Sequence, residues 1–349
     1  MSSEGRWREL VAGLFPGYFA MVMSTGIVAI AAFRLDYHAI STALFWISLV
    51  AYGVLAAMTL LRLLLYPARL FADLVDHGRG PGFFTLVAAT CLVGIQLLLR
   101  ETFAPAASAL WCLGFVVWLL VGYAFFGAAA IKSEKPPIET GINGAWLLAV
   151  VSTQSLSILG TLLAARGVCG QPLFFVSLCL FLLGAMMYLW ISGMIVYRLL
   201  FLKIAALALT PPYWISMGAA AITTLAGATL ALNAQAAPFL VELSGFIKGM
   251  TALYWATCTW WIPLLLILGV WRHGRMGVPF AYDPQYWGMV FPLGMYTVCT
   301  LQFSRALGLD FVASLCGGFL FLALAAWSIV FTGMLLSLTA GCRTEARSP

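Results

Sequence analysis

Side chains able to do acid–base or metal chemistry are few in this sequence, and they are scattered. His38, His77 and His273 all fall between apolar runs. Of the cysteines, Cys91, Cys112, Cys179, Cys258, Cys299 and Cys316 lie inside apolar runs, Cys169 and Cys342 lie outside them, and no C-x-x-C or Cys/His cluster occurs. Such cysteines behave as small apolar residues in helix packing. No nucleophile–base or acid–base arrangement is evident, so the expectation is a protein that is not an enzyme, with no catalytic residue, metal or cofactor. What remains is a set of hydroxyl and amide groups within apolar runs: Ser24, Thr25, Thr85, Thr90, Ser152, Thr153, Gln154, Ser155, Ser157, Ser216, Thr223, Thr224, Thr297, Thr300 and Gln302. Groups of this kind solvate an anion weakly, and weak sites favour throughput over capture. The plain alternative is that Ser, Thr and Gly let membrane helices approach closely.

The elements that carry these groups are apolar throughout. Hydrophobic residues make up 63% of the chain, charged residues 9%, and the mean hydropathy is +1.01. A soluble domain needs far more charge to wet its surface, so the excess apolar content faces lipid. The net charge of +6 comes from basic residues set singly or in pairs between the runs. That pattern fits membrane topology and excludes nucleic acid as a partner. Ten runs are long enough to span a bilayer: 15–33, 39–64, 82–99, 106–131, 143–164, 172–197, 211–231, 238–270, 287–304 and 310–338. No stretch is left for a second soluble domain, so residues 1–349 are expected to form one membrane domain. Ala29-Ile30-Ala31 has the form of a signal-peptide cleavage site. The run before it is interrupted by Pro16, Gly17, Ser24, Thr25 and Gly26, so its retention is expected.

The odd-numbered spans open on nearly the same word. PGYF, PGFF, NGAW, PPYW and PQYW begin at Pro16, Pro81, Asn143, Pro211 and Pro284, at intervals of 62 to 73 residues. A repeat of this period is a helical hairpin copied in parallel orientation. The expected architecture is therefore an all-α polytopic membrane protein. Five hairpins surround a central pore, with odd helices inside and Leu/Phe-rich even helices facing lipid. Basic residues follow this frame. Arg6, Arg8, Arg62, Arg69, Arg79, Lys132, Lys135, Arg198, Lys203, Arg272, Arg275, Arg343 and Arg347 fall on one side. Arg34, Arg100, Arg166 and Arg305 fall on the other, with Lys248 near the outer part of span 8. By the positive-inside rule both termini are cytoplasmic. The four outer arginines follow inner helices and are candidates for attracting anions to the outer mouth.

Seven positions past the start of each word lie Met23, Ala88, Val150, Gly218 and Phe291, one bulky ring among small groups. Two or three residues further, Thr25, Thr90, Ser152, Ala220 and Gly294 complete the expected pore lining. Pro292 cannot donate to the carbonyl of Gly288, so a kink is expected beside Phe291. No Asp, Glu, Lys, Arg or His lies in the central part of any odd span, which argues against proton coupling.

The runs FPGYFAMVMSTGIVAIA (15–31), INGAWLLAVVSTQSLSILG (142–160), PPYWISMGAAAITTLAG (211–227) and YWGMVFPLGMYT (286–297) resemble one family over nearly the whole chain. It is the tellurite-resistance/dicarboxylate transporter family, which includes bacterial TehA-type channels, yeast malate and sulfite transporters and plant guard-cell slow anion channels. The resemblance implies a pore within each protomer, a homo-trimer in the lipid bilayer of a bacterial inner membrane, and transport of small inorganic or organic anions. It also implies that a phenylalanine of the ninth helix, matching Phe291 before Pro292, occludes the path. One departure is Ala149, where family members carry a proline in span 5. An anion channel or uniporter is the first reading. A coupled C4-dicarboxylate or sulfite carrier is the second, and a binding or structural membrane protein the third.

Overall fold

The computed structural model describes residues 3–101 and 104–345. Arg347, and the side chains of Arg6, Arg343 and Cys342, lie outside the described residues. The described residues form helices and no strand. We number the ten long helices in chain order: α1 (Phe19–Arg34), α2 (His38–Leu65), α3 (Phe84–Leu99), α4 (Ala104–Ile131), α5 (Leu148–Ala164), α6 (Gly170–Phe201), α7 (Ile215–Leu232), α8 (Ser244–Val270), α9 (Trp287–Leu307) and α10 (Leu315–Glu345).

Each repeated word is a 3₁₀ turn feeding an odd helix, at Pro16–Tyr18, Gly80–Phe83, Gly144–Leu147, Pro211–Trp214 and Pro284–Tyr286. Proline suits such a start, because its φ is pre-set and its missing N–H would be unpaired there anyway. Where proline is absent from the opening of the turn, Asn143 caps it by accepting from the Ala145 N–H at 2.8 Å. The five turns touch their neighbours in cyclic order and close into a ring. Backbone meets backbone in that ring, which accounts for glycine in two of the three words that carry it. A Cβ on Gly82 would come within 2.9 Å of the Gly17 nitrogen, and one on Gly144 would overlap the carbonyl of Pro212.

The odd helices repeat this closure. α1 packs on α3, α3 on α5, α5 on α7, α7 on α9 and α9 on α1. Each even helix packs on its own hairpin partner and also touches the next odd helix, so five outer helices fill the grooves of five inner ones. Burial follows the same division. In their most apolar windows α1, α3, α5 and α7 are 78 to 94% buried, whereas α2, α4, α8 and α10 are 17 to 22% buried. α6 departs from the expected lipid-facing character at 56%. The reason is visible in its hydrogen bonds. Gln154 Nε2 of α5 donates to the Phe181 carbonyl, Tyr188 Oη donates to the Ser216 carbonyl of α7, and Tyr254 Oη of α8 donates to the Ala185 carbonyl. Three neighbours hold α6, not two.

Among the described residues nine helices are long and apolar enough to cross a membrane. α9, at 21 residues, is the long helix outside that set, and it carries Tyr296, Thr297, Thr300, Gln302, Ser304 and Arg305. Nearly all of α9 is buried by protein, so lipid places no demand on its polarity. Two boundaries differ from expectation. Span 8 begins with a separate short helix, Pro238–Glu242, and span 10 with Asp310–Ala313. α5 runs unbroken through Ala149, whose carbonyl accepts from Ser152 Oγ and Thr153 Oγ1 at 2.8 Å each.

Two arginines counted above only as topology signals are buried clamps. Arg62 donates to the carbonyls of Ala12 and Leu14 and pairs with Asp73 at 2.7 Å, while Arg79 holds the other Asp73 oxygen at 2.9 Å. Arg198 Nη1 donates to the Ile142 carbonyl and to Tyr213 Oη, joining α6 to the turns before α5 and α7. These bonds tie the ends of outer helices to the ring of turns.

Candidate functional site

The inward and outward faces of the inner helices are set by what the outer helices grip. Trp327 of α10 donates its Nε1 to Thr25 Oγ1 of α1 at 2.9 Å. Tyr52 of α2 pairs with Thr90 of α3 at 2.9 Å, and Trp118 Nε1 of α4 donates to Thr153 of α5 at 2.8 Å. Tyr188 of α6 reaches the Ser216 carbonyl of α7 at 3.1 Å, and Trp255 Nε1 of α8 donates to Thr300 of α9 at 3.1 Å. Every outer helix thus places at least one aromatic polar group on the next inner helix, all the way round. Buried Trp and Tyr need such partners, and a buried hydroxyl left alone costs stability. The five aromatics recur at 66, 70, 67 and 72 residues, the period of the opening words. That second repeat is itself readable in the sequence.

These staples orient the ring. At about 100° per residue, Met23 lies roughly 200° round α1 from Thr25, and Ala88 roughly 200° round α3 from Thr90. Val151 stands in the same relation to Thr153, with Ser155 one turn further along the same face, and Phe291 lies about 180° from Thr300. On α7 the outward face is marked by Gly227, where a Cβ would meet Thr251 of α8 and Phe181 of α6. Gly218 lies about 180° from it. Met23, Ala88, Val151, Gly218 and Phe291 therefore face the inside of the ring. Val151 is not among the expected lining residues, and Ser155 one turn further on belongs to the hydroxyl set named above.

The remaining lining candidates sit elsewhere. Thr25 and Thr90 face the outer helices through their staples. Val150 lies within about 60° of Thr153, and Ala220 within about 20° of Gly227, both toward the outer ring. Ser152 is on the flank of α5, its hydroxyl spent on the Ala149 carbonyl. A Cβ on Gly294 would come within 3.0 Å of Ile27 and Val28, so this glycine allows α9 to approach α1.

Inside the ring the aromatic and the glycine meet. A Cβ on Gly218 would lie 2.8 Å from Pro292 Cγ and 3.4 Å from Phe291 Cδ1. Phe291 is 1% exposed, Met23 1% and Ala88 0%. No water-sized space opens onto these side chains, so the ring is closed at this level. The helix runs through Pro292 without interruption from Trp287 to Leu307.

The four outer arginines divide into two kinds. Arg100 turns away to α2, donating to Ser41 and lying 4.5 Å over the Phe45 ring and 5.4 Å from that of Phe33. Burial there draws its pKa below the usual arginine value. Arg166 donates to the Leu98 carbonyl at 2.7 Å. Arg34 and Arg305 lie within electrostatic reach of each other. Arg34 Nε is buried without a hydrogen-bond partner, and Arg305 faces Gln302 Oε1 at 3.4 Å. Two like charges close together form a centre that an anion would relieve.

Comparison with known proteins places this geometry among relatives. A family model described as SLAC1, voltage-dependent anion channel, matches residues 14–335. An uncharacterized membrane protein of Mycobacterium tuberculosis is 39% identical over 162 residues, covering 46% of this chain and 82% of the relative. An uncharacterized transporter of Methanocaldococcus jannaschii is 24% identical over 324 residues, 89% of this chain and 91% of the relative. The sulfite efflux pump SSU1 of Trichophyton rubrum is 24% identical over 343 residues, 92% of this chain and 90% of the relative.

Proposed function

The chain belongs to the SLAC1 family of voltage-dependent anion channels, and from that premise we propose that it passes small anions through the five-helix ring, with Phe291 as the gate. The observation that carries the gate is that the inward-facing Phe291 ring fills the space beside Gly218 on the neighbouring inner helix, where a Cβ would meet it at 3.4 Å. Movement of one side chain, next to a proline that already removes a helix hydrogen bond, would open the path with no rocking of domains. Met23, Ala88, Val151 and Gly218 form the narrow level around it.

Transport is proposed as uncoupled, because α1, α3, α5, α7 and α9 hold no ionisable group between their ends other than buried cysteines and tyrosines. Sulfite is the first candidate substrate. Relatives named as sulfite efflux pumps align over about nine-tenths of the chain. Malate and other C4-dicarboxylates stand behind it, with chloride and nitrate as probes of a channel. Proteoliposomes under voltage clamp decide between channel and carrier. Reversal potentials for nitrate should follow the anion gradient and stay fixed when pH changes on one side. A shift with pH at constant anion gradient would establish coupling instead.

At the outer mouth, Arg34 and Arg305 are proposed to concentrate anions. Replacing both with glutamine should lower flux several-fold at 10 mM salt and little at 300 mM, because the Debye length falls from about 30 Å to under about 8 Å. An equal loss at both salt concentrations would make the pair structural.

The proposed setting is one membrane domain of ten spans in a bacterial inner membrane, both termini cytoplasmic, assembled as the homo-trimer that the resemblance implies. The asymmetry of basic residues supports the orientation. Reporter fusions near residues 135 and 205 should read cytoplasmic and those near 168 periplasmic. A reversed reading at any of the three removes the parallel-hairpin topology.

A further inference from the structure

Outside the ring, a cavity of about 1140 Å³ lies between α8 and α10, over the outward side of α9. α10 borders it from Phe319 to Gly333, a rise of about 21 Å. One leaflet of hydrocarbon is about 15 Å deep, so the groove is as long as an acyl chain needs. Its walls are apolar and no Asp or Glu lines it. Its floor includes Met289 and Leu293, which bracket the Phe291–Pro292 step from behind.

One end of the groove is built differently. Trp271–Arg275 is a π-helical turn, and the chain after it folds back over the groove. His273 Nδ1 pairs with the Val278 carbonyl at 2.8 Å while its ring stacks on Phe280 at 3.8 Å. Tyr282 lies against Gly333, where a Cβ would come within 3.3 Å of its ring. Arg272 and His273 line this end, and Arg272 Nε is buried without a hydrogen-bond partner. The nearest carboxylate in sequence, Asp283, accepts from the Gln285 N–H through Oδ1 at 2.7 Å and forms no ion pair with Arg272. An apolar trough of leaflet depth that ends at a guanidinium with an unpaired Nε fits one chemistry, a long hydrocarbon bearing an anionic head.

We propose that this groove holds an anionic phospholipid, its phosphate on Arg272 beside His273 and an acyl chain along α10 against Met289 and Leu293. A second copy of the chain fits the charge less well. Helices α2, α4, α6 and α8 carry no carboxylate with which a copy could meet Arg272. In the proposed topology this end faces the cytoplasmic leaflet, where anionic lipids attract basic segments. The site is independent of which anion is transported.

The test is lipid retention. The purified full chain is exchanged into nanodiscs of phosphatidylcholine with a minor share of phosphatidylglycerol, released, and weighed with its bound lipids by native mass spectrometry. Phosphatidylglycerol should be retained over phosphatidylcholine by about fivefold or more, the factor that a single basic residue contributes near a surface. Arg272→Gln combined with Arg275→Gln should abolish that preference with the protomer still folded by size-exclusion chromatography. Ala325→Trp, which fills the groove, should displace the lipid. Should the tryptophan variant fail to fold, the arginine variants decide alone. Equal retention of the two lipids, or a preference untouched by the arginine changes, overturns the proposal. A tryptophan variant that changes the oligomer mass with lipid count unchanged would assign the groove to a second copy instead.

Discussion

Phe291→Ala is expected to raise anion flux per folded protomer by about 30-fold. Moving a buried phenylalanine out of its packing forfeits roughly 2 kcal/mol, and as a barrier that is a factor of about 30 in rate. The ring is inward-facing, almost wholly buried, and set against Gly218. Nothing else near this level is bulky except Met23, an adaptable side chain. If Phe291 were a packing residue only, truncation would cost about 3–5 kcal/mol, and folded yield would fall with no gain in flux. Flux must therefore be divided by the amount of monodisperse protein. A well-folded variant with unchanged or reduced flux would remove the gate from the mechanism. Placing bulk opposite gives the converse arm. Gly218→Val should slow transport, since a Cβ added there would come within 2.8 Å of Pro292 Cγ.

Gly144→Ala is expected to destabilise the protein by about 3 kcal/mol or more, at the upper end for overpacking. The added Cβ would overlap backbone atoms of Pro212 and Tyr213, which have no rotamer by which to yield. The ring of turns would have to open between the third and fourth hairpins, and with it the register of α5 against α7. Gly122→Ala is the matched control. It lies in α4 with nothing within 4 Å of the new carbon, and the helix should gain about 0.5–1 kcal/mol. Thermal unfolding in one detergent compares the two. Equal melting temperatures would mean that the turns do not bear the strain assigned to them.

Much of the architecture was legible because its signals are local. Apolar run lengths mark the helices, and the Pro/Gly words mark the start of each inner one. The repeat period implies parallel hairpins, and parallel hairpins with equivalent neighbours close into a ring. Phe291 stood out for a similar reason, as a large ring beside a proline in a position otherwise held by small residues. α9 was also expected as a span, although its polarity sets it apart from the other nine.

The facing of individual hydroxyls was not legible, and the cause is physical. A helix at a protein–water boundary displays its orientation as an apolar stripe. Inner helices here are buried on every side, so no stripe exists and Thr25, Thr90 and Met23 carry equal weight in sequence. Their directions come from partners on other hairpins. Trp327, about 300 residues from Thr25, claims one hydroxyl, and Tyr52 claims Thr90. Likewise Arg34 and Arg305 come together only because the fifth hairpin closes onto the first, while the similarly spaced Arg100 is drawn off by Ser41 and Phe45. Sequence alone determined the repeat and its order around the axis. Long-range donor–acceptor pairing decided which side of each inner helix faces that axis, because uniform burial erases the local signal.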